Sequence, residues 1–380
     1  MRIKGIARYI IDALEQKGHE AYIVGGCLRD ELMGRASDDV DITTSATPDE
    51  VKSIFDDTRE TGIKHGTVLV IYGNDKAEVT TFRTENTYSD GRHPDEVIFV
   101  KDIKKDLARR DFTINAMAFS PSRGLVDPFD GQKDIKNKII RAVGDPYKRF
   151  EEDALRILRC IRFSAVLGFE IEGETAKAAL KLKNNLKFIS RERVFTELYK
   201  TIAYANFEQM KFMLEVAGDI FPENITDERI AYAVRVHSNE AKWAWLCGEN
   251  THNVLVSLKS SSRFMCAAEE LAAYENTDID EPCKVFYKLK YASPAQLADY
   301  KNDPKILDEF ERAIAEKRPL YPSNMVMGGK EILALGFKDR EIGEIQKYLF
   351  DHILDHPEDN NKESLTGIIE RRFSFGNNQP

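Results

Sequence analysis

The chain has 380 residues, too many for one compact core, so we expect two to four folded units. It is 42% hydrophobic and 31% charged, as in ordinary globular proteins, and no apolar run approaches a membrane span. No signal peptide is visible. Five scattered cysteines form no CxxC pair, which argues against a zinc knuckle and favours a reducing, cytoplasmic location.

Charge is distributed unevenly along the chain. The net charge of −9 argues against nucleic-acid binding by the surface as a whole. Residues 141–200, however, contain 13 Lys and Arg against 9 Asp and Glu, which gives this segment a charge of +4. Because the local field governs contact, the segment predicts a basic patch that can bind RNA.

Hydrophobic periodicity and turn residues predict a mixed α+β region with a small sheet over residues 1–140. A glycine-centred turn between two alternating segments favours a hairpin there. The predicted elements, in chain order, are helix 5–18, strand 21–24, a Gly25-Gly26 turn, helix 29–33, a strand holding Asp39 and Asp41, a helix capped near Thr47, and hairpin strands 66–72 and 77–83.

Strand patterns nearly vanish after residue 146, and helical periodicity takes their place. The rest of the chain to about residue 370 reads as further helices with short connectors, and we expect residues 374–380 to be frayed. The clearest predicted helices are 149–167, 175–186, 191–204 and 208–217.

Asp39 and Asp41 alternate along their predicted strand, so both carboxylates project to the same face. The Gly25-Gly26 turn just upstream lets the backbone approach a phosphate closely. Like charges held that close need a cation, and Mg²⁺ bound to a triphosphate is the commonest case. Glu78 begins the next strand and is a candidate third ligand; the alternative is an exposed acid at a strand edge.

Two arginines precede the apolar segment that begins at Phe112. The guanidinium of Arg110 matches phosphate oxygens and is a candidate phosphate clamp. The alternative is an Arg–Asp pair that caps a helix. Residues 127–131, Asp-Pro-Phe-Asp-Gly, have the composition of a turn, and we interpret them as structural.

Asp153, Arg156, Arg159 and Arg162 recur at every third position, so they form one charged ridge on a predicted helix, away from its apolar face. The alternative is an ordinary solvated face with one ion pair. Since three arginines share a single acid, we expect unpaired positive charge that suits a triphosphate or an RNA backbone.

Asp153 and Arg156 also offer a way to read bases. A carboxylate accepts hydrogen bonds and a guanidinium donates them, which complements the amine and ring nitrogen of cytosine and adenine. Uracil and guanine present the reverse order. Each buried polar group left unpaired costs about 1–3 kcal/mol, so the pair predicts selection of C and A without a nucleic-acid template.

Six segments resemble, in order and spacing, the class II tRNA nucleotidyltransferases, the CCA-adding enzymes and poly(A) polymerases of the polymerase-β-like superfamily. Residues 82–94 also resemble the family's flexible loop, and residues 327–333 a tail motif. No His-Asp phosphohydrolase pattern is found. The segments are GGCLRD (25–30), DVD (39–41), RRDFTINA (109–116), DPFDG (127–131), EDALR (152–156) and SRER (190–193).

The resemblance implies an α+β fold: a polymerase-β-like palm with a small mixed sheet, followed by an all-α region. Its parts would be a head (1–141), a neck (142–204), a body (205–310) and a tail (311–380). It implies addition of C, C and A to the tRNA 3′ end from CTP and ATP. Asp39 and Asp41 would bind Mg²⁺, and the nucleotide would contact Gly26, Arg29, Arg110, Asp153, Arg156, Arg159 and Arg162.

Four alternatives stay open. CC addition is disfavoured because the loop at 82–94 is full length, and a poly(A) polymerase would carry a longer basic extension. A-only addition is compatible with the sequence. The fourth is a catalytically inactive RNA-binding protein, against which the intact Asp39 and Asp41 argue. The expected partners are tRNA, CTP and ATP without a membrane, in a monomer or a homodimer.

Overall fold

The computed structural model describes residues 5–36, 39–62, 66–86, 96–279 and 281–373. The chain forms two compact units, Met1–Ile220 and Phe221–Pro380. The predicted fold class is confirmed, because the first unit has a mixed sheet with helices and the second is helical. The finer division into head, neck, body and tail stays a prediction.

A seven-stranded sheet forms the centre of the first unit, in the order β3-β4-β5-β2-β1-β8-β9. Two further pairs, β6–β7 and β10–β11, form small separate sheets. The strands are β1 (Ala21–Val24), β2 (Asp41–Thr44), β3 (Thr58–Gly62), β4 (Thr67–Tyr72), β5 (Asp75–Thr81), β6 (Arg83–Asn86), β7 (Glu96–Phe99), β8 (Ala118–Ser120), β9 (Gly124–Val126), β10 (Ile139–Ile140) and β11 (Glu170–Ile171).

The predicted hairpin is confirmed: β4 and β5 pair antiparallel, with Tyr72 opposite Asp75 across the turn. Pairing of β5 with β2 is parallel and sets Asp41 opposite Glu78. Parallel neighbours need a crossover connection, which here runs through α3 (Pro48–Ile54), β3 and β4. The pairing of these two central strands therefore brings together residues that are distant in the sequence.

Ten helices of the first unit lie around and after this sheet. The first, α1, buries its predicted apolar face in the main core, where Ile10 and Leu14 are fully enclosed. The helices are α1 (Gly5–Gln16), α2 (Gly25–Leu32), α3, α4 (Ile103–Ala108), α5 (Gly131–Asn137), α6 (Pro146–Glu152), α7 (Leu155–Leu167), α8 (Gly173–Leu182), α9 (Arg191–Tyr204) and α10 (Phe207–Val216).

Two predicted boundaries differ from the structure. Helix α2 begins at Gly25, where the sequence predicted a turn and a helix only from residue 29. The single helix predicted over 149–167 is broken at Asp153, whose backbone is extended and whose carboxylate accepts a hydrogen bond from the Leu155 N–H (3.0 Å). A carboxylate that satisfies a free N–H at a helix start favours a new helix over continuation of the old one.

The second unit contains ten helices and, among its described residues, no strand. Two apolar clusters form its core, one within residues 236–320 and one within residues 327–369. The helices are α11 (Asp227–Arg235), α12 (Asn239–Cys247), α13 (Thr251–Ser257), α14 (Ser262–Ala272), α15 (Pro282–Phe286), α16 (Pro294–Lys301), α17 (Pro304–Ala315), α18 (Gly329–Ala334), α19 (Asp339–Asp355) and α20 (Lys362–Arg372).

Within the described part of the chain, no helix combines the length and apolar character needed to cross a bilayer. Two sequence predictions fall outside that part. The frayed terminus at 374–380 lies wholly outside the described residues, as do residues 87–94 of the predicted flexible loop.

Candidate active site

The acidic edge, which we define as Asp39, Asp41 and Glu78, lies where β2 begins. Asp41 is the first residue of β2 and is partly buried, whereas Asp39 lies just before the strand and is exposed. The N–H of Glu78 donates to the Val40 carbonyl (3.1 Å), which fixes β5 against this end of β2. The structure thus brings all three predicted carboxylates to one end of a strand pair.

Within the acidic edge, the Asp41 carboxyl has a shifted pKa. Burial raises the pKa of the Asp41 carboxyl, as do the charges of Glu78 and Asp39, while Arg110 opposes the shift. A cation at this position would relieve the repulsion, which fits a metal held by oxygen ligands. Among the described residues, however, no three acidic, histidine or cysteine side chains form a ready metal cluster, so Glu78 as third ligand stays a prediction.

Gly25 separates the acidic edge from a guanidinium group. Its φ of +72° is one that L side chains rarely adopt. A Cβ atom built there would lie 3.3 Å from Asp41 Oδ2 and 3.5 Å from Arg110 Nη1. The glycine therefore keeps a narrow space between a carboxylate and a guanidinium at the start of α2. At Gly26, the same construction gives an ordinary contact of 3.6 Å with Arg29.

Arg110 is held by one nitrogen. Its Nη2 donates to Asp106 Oδ2 (3.2 Å), and its buried Nε has no hydrogen-bond partner among the described residues. Buried N–H groups without partners are rare and costly in folded proteins. The Nη1 of the same guanidinium faces Gly25, so an anion beside Gly25 would meet a donor there.

Arg29 is buried, which the sequence did not predict. Its guanidinium donates to Asp30 Oδ1 through Nε (2.9 Å) and Nη2 (2.8 Å), and to Asn115 Oδ1 through Nη1 (2.9 Å). These contacts orient the residue between α2 and the segment that contains Asn115. Contact of Arg29 with a nucleotide stays a prediction.

The predicted surplus of positive charge on the arginine ridge, Arg156, Arg159 and Arg162, is wrong. Each arginine contacts its own carboxylate instead of sharing one. The pairs are Arg156–Glu152 (2.6 Å), Arg159–Asp111 (2.5 Å) and Arg162–Glu197 (2.6 Å). Arg156 is also buried and donates to two backbone carbonyls. Glu152 lies four residues before Arg156, a spacing that could have indicated the pair, whereas Asp111 and Glu197 come from distant segments that spacing could not reveal.

Asp153 does not lie on the same helix as the arginines. It follows α6 and caps the start of α7, and its Oδ2 accepts a hydrogen bond from Arg193 (3.5 Å). The contact joins two of the matching segments, 152–156 and 190–193. Base reading by Asp153 and Arg156 stays a prediction.

Sequence reasoning missed Asp111 and Asn115 as parts of this region. Asp111 is buried, yet its pKa is lowered to about 2, because Arg159 and Asn115 outweigh the effect of burial. Asn115 donates a hydrogen bond to Asp111 Oδ1 (3.1 Å) and accepts one from Arg29. Asn115 and Asp111 therefore link Arg29 to Arg159. The sequence did offer one indication of their importance, since both residues lie in segment 109–116, which resembles a family motif.

Phe163 was also missed. Its ring packs edge-on against Phe112 and receives three guanidinium groups, those of Arg29 and Arg159 at 5.3 Å and that of Arg162 at 4.0 Å from the centroid. Cation–π contacts of this kind contribute about 0.5–2 kcal/mol each. The ring therefore joins arginines from α2 and α7.

The turn at 127–131 is structural, as the sequence predicted. Asp127 accepts hydrogen bonds from the N–H groups of Gly131 (2.7 Å) and Gln132 (2.9 Å) at the start of α5. A side chain at Gly131 would collide with the Thr113 carbonyl and with Met117, so glycine is required there.

Two family models match the chain. Residues 21–141 match the poly A polymerase head domain. Residues 168–218 match a region described as a probable RNA and SrmB-binding site of polymerase A. The matches include both sides of the site, since the first contains the acidic edge and Arg110, and the second contains Arg193.

Curated relatives match about half of the chain. It is 51% identical over 203 residues to a CCA-adding enzyme of Staphylococcus aureus (strain bovine RF122 / ET3-1), covering 53% of this chain and 51% of that protein. It is 53% identical over 196 residues to a CCA-adding enzyme of Leuconostoc mesenteroides, covering 52% of this chain and 49% of that one. The matched part thus spans about half the length of these relatives.

One solved structure is similar over nearly the whole chain. The crystal structure of the Bacillus stearothermophilus CCA-adding enzyme in complex with CTP superposes with a TM-score of 0.82 at 29% identity. The superposition covers 97% of this chain and 98% of that one. The resemblance inferred from six short segments is thereby confirmed for the fold.

Proposed function

We propose that the chain is a class II tRNA nucleotidyltransferase that adds C, C and A to the 3′ end of tRNA, on the basis of its similarity to the poly A polymerase head domain and to CCA-adding enzymes. CTP and ATP are the donors, pyrophosphate is released, and no nucleic-acid template directs the choice of base. Identity of 51–53% to CCA-adding enzymes over about half of the chain supports this proposal.

One observation carries the proposal: Gly25 leaves a narrow space with Asp41 on one side and Arg110 on the other. The carboxylate suits a metal ion and the guanidinium suits phosphate, while the start of α2 supplies backbone N–H groups. These are the groups that a nucleoside triphosphate bound with a metal requires.

Asp39 and Asp41 are the residues that would hold Mg²⁺, with Glu78 as a further candidate. Burial raises the pKa of Asp41, as do the neighbouring charges of Glu78 and Asp39, and a bound cation would stabilise the carboxylate. When bound, two such ions activate the attacking 3′-hydroxyl and stabilise the leaving pyrophosphate. The chain's own residues position the triphosphate and supply the remaining charge.

Arg110 binds the triphosphate through Nη1, which faces the space beside Gly25 while Asp106 holds Nη2. Gly26 lets the backbone approach the phosphates at the start of α2. Arg29 reaches the same region from its contacts with Asp30 and Asn115. Positioning and charge compensation account for most of the catalysis in phosphoryl transfer.

Asp153 and Arg156 select cytosine and adenine by presenting an acceptor beside a donor. Arg159 and Arg162 add positive charge beside the bound nucleotide. In the structure these side chains contact Arg193, Glu152, Asp111 and Glu197, so a nucleotide has to share or replace some of these contacts. Because the nucleotide competes with these internal contacts, its affinity depends on how well the base matches the donor and acceptor that are offered.

The helical neck, body and tail bind tRNA by shape and phosphate contacts, in a monomer or homodimer of the cytoplasm. The match of residues 168–218 to a probable RNA-binding region supports the neck part of this assignment.

The test is extension of three tRNA transcripts, ending before CCA, after C and after CC, with CTP and ATP supplied separately and together. We expect C addition to the first two transcripts with CTP alone, A addition to the third with ATP alone, and complete CCA with both.

The same product ladder separates the alternatives. Products that stop at CC indicate a CC-adding enzyme, extension of the third transcript alone indicates an A-adding enzyme, and long A tracts indicate a poly(A) polymerase. Binding of tRNA without any extension would identify an inactive RNA-binding protein.

A further inference from the structure

Asp106 is a buried carboxylate to which the mechanism above gives no role. It lies in α4, and its side chain is 0% exposed. Isolated charges are expensive to bury, so a carboxylate in such a place has to be paired and hydrogen-bonded. Its partners therefore indicate what it does.

The two carboxylate oxygens of Asp106 face different partners. Oδ1 accepts hydrogen bonds from Arg109 Nε (3.0 Å) and from the Arg83 N–H (3.2 Å). Oδ2 accepts from Arg110 Nη2 (3.2 Å). Burial acts against the charge, but the two arginines and the N–H outweigh it and lower the pKa of Asp106, so the group is a carboxylate at neutral pH.

This arrangement fixes the direction of the Arg110 guanidinium. Since Nη2 is held by Asp106, the planar group turns Nη1 toward Gly25 and the acidic edge. Without that anchor, Arg110 could form an ion pair with Asp41, which it already faces. A guanidinium paired with the metal-binding carboxylate would no longer be directed at phosphate.

A second contact extends from the same carboxylate to α7. Asp106 holds Arg109, and the backbone carbonyl of Arg109 accepts a hydrogen bond from Arg156 Nη2 (3.2 Å). The Asp106 carboxylate is therefore linked both to the proposed phosphate contact and to a proposed base-reading residue.

We propose that Asp106 is a positioning residue that holds Arg110 in the orientation in which it binds the triphosphate. This inference rests on the proposed function of the site. It adds that an acid with no contact to the nucleotide determines how tightly any nucleoside triphosphate binds. Since the triphosphate is common to all substrates, the choice of base is unaffected.

The experiment compares Asp106→Asn, Arg110→Ala and the double variant in the full-length protein, by equilibrium binding of CTP and ATP without tRNA. We expect Asp106→Asn to weaken both nucleotides by about tenfold, the effect of losing one charge-assisted contact. In the Arg110→Ala background, the same change should have almost no further effect. Additive losses in the double variant would mean that Asp106 does not act through Arg110.

The matched control is Asp102→Asn, the same chemical change on the same helix. Asp102 is exposed and caps α4 through the Lys104 N–H (2.9 Å), a role that asparagine also fills. It should bind CTP as the wild type does, and tRNA affinity should be equal in all variants.

If Asp106→Asn does not fold, Asp106→Asn combined with Arg109→Gln removes one of the two guanidinium charges that Asp106 compensates. CTP binding should still be weakened, because Arg110 still lacks its anchor, and wild-type affinity in that variant would overturn the proposal. A wild-type protein that binds neither nucleotide would instead refute the proposed function itself.

Discussion

The acidic edge and the arginine ridge differ in how their charge is compensated. At the edge, the partly buried Asp41 carboxyl lies beside the charges of Glu78 and Asp39, and Arg110 keeps a buried N–H without a partner among the described residues. On the ridge, each arginine contacts a carboxylate from another element. The Asp41 carboxyl and the Arg110 guanidinium at the edge leave room for a cation and an anion to bind. The ion pairs on the ridge instead fix the orientation of its arginine side chains.

The largest effect tests the edge. Asp39→Ala should lower nucleotide incorporation by more than about a thousandfold while tRNA affinity stays the same, because a metal ligand is lost and no tRNA contact is. Single-turnover extension and filter binding measure the two quantities. The exposed Asp75→Ala, in the same sheet, serves as control, and an active Asp39→Ala protein would sink the metal assignment.

A second change tests base selection beside the ridge. Asp153→Ala or Arg156→Ala should relax discrimination against UTP and GTP by about ten- to a hundredfold, since each removes one polar partner of the base. The ratio of kcat/KM values for CTP and UTP measures this. Glu151→Ala, an exposed neighbour, should leave the ratio unchanged. Strict selection in both variants would show that other groups read the base.

A third change tests how much the ion pair between Asp111 and Arg159 contributes to the stability of the folded protein. Asp111→Asn should lower the free energy of unfolding at pH 7 by about 2 kcal/mol, because it removes the carboxylate that Arg159 contacts. The folded-state pKa of about 2 lies below the usual 3.8, so this stability is present above pH 4 and is lost as pH falls toward 2.

Urea unfolding at several pH values measures the difference between wild type and Asp111→Asn. Asp145→Asn is the control, since Asp145 is exposed and caps α6 in a way that asparagine can replace. A difference that stays constant between pH 5 and pH 2 would contradict the role of the Asp111 charge.

The smallest effect comes from releasing a single arginine. Glu197→Gln should cost about 1–2 kcal/mol of stability, because Arg162 and Glu197 are both mostly buried. CTP binding should not weaken, since the change leaves more positive charge on the ridge. Thermal unfolding and CTP titration measure both, with the exposed Glu208→Gln as control. A more than threefold loss of CTP affinity would show that Glu197 orients Arg162 for binding.

The sequence was sufficient where the determining contacts are local. The hairpin β4–β5 follows from alternation around a short turn, and the end of α1 follows from Gly18, whose φ is +87°. The capping box at Thr47, which begins α3 beside Glu50, is a further local contact that the sequence indicated.

The sequence was insufficient where partners come from elsewhere in the chain. Periodicity placed Arg159 and Arg162 on one face but could not show that Asp111 and Glu197 face them. It also carried one helix through Asp153, because a capping carboxylate and an ordinary helical residue are indistinguishable by spacing alone. Both errors concern side chains whose hydrogen-bond or ion-pair partners cannot be identified from their spacing in the sequence.

The parallel pairing of β2 with β5 makes the acidic edge depend on a non-local contact. The β4–β5 hairpin closes over a short turn, whereas pairing of β2 with β5 closes a loop that contains α3, β3 and β4 and costs more chain entropy. Asp41 and Glu78 are therefore brought together by the sheet and not by the hairpin. A chain in which these two strands are unpaired does not hold the carboxylates together, so the acidic edge exists only where the sheet is formed.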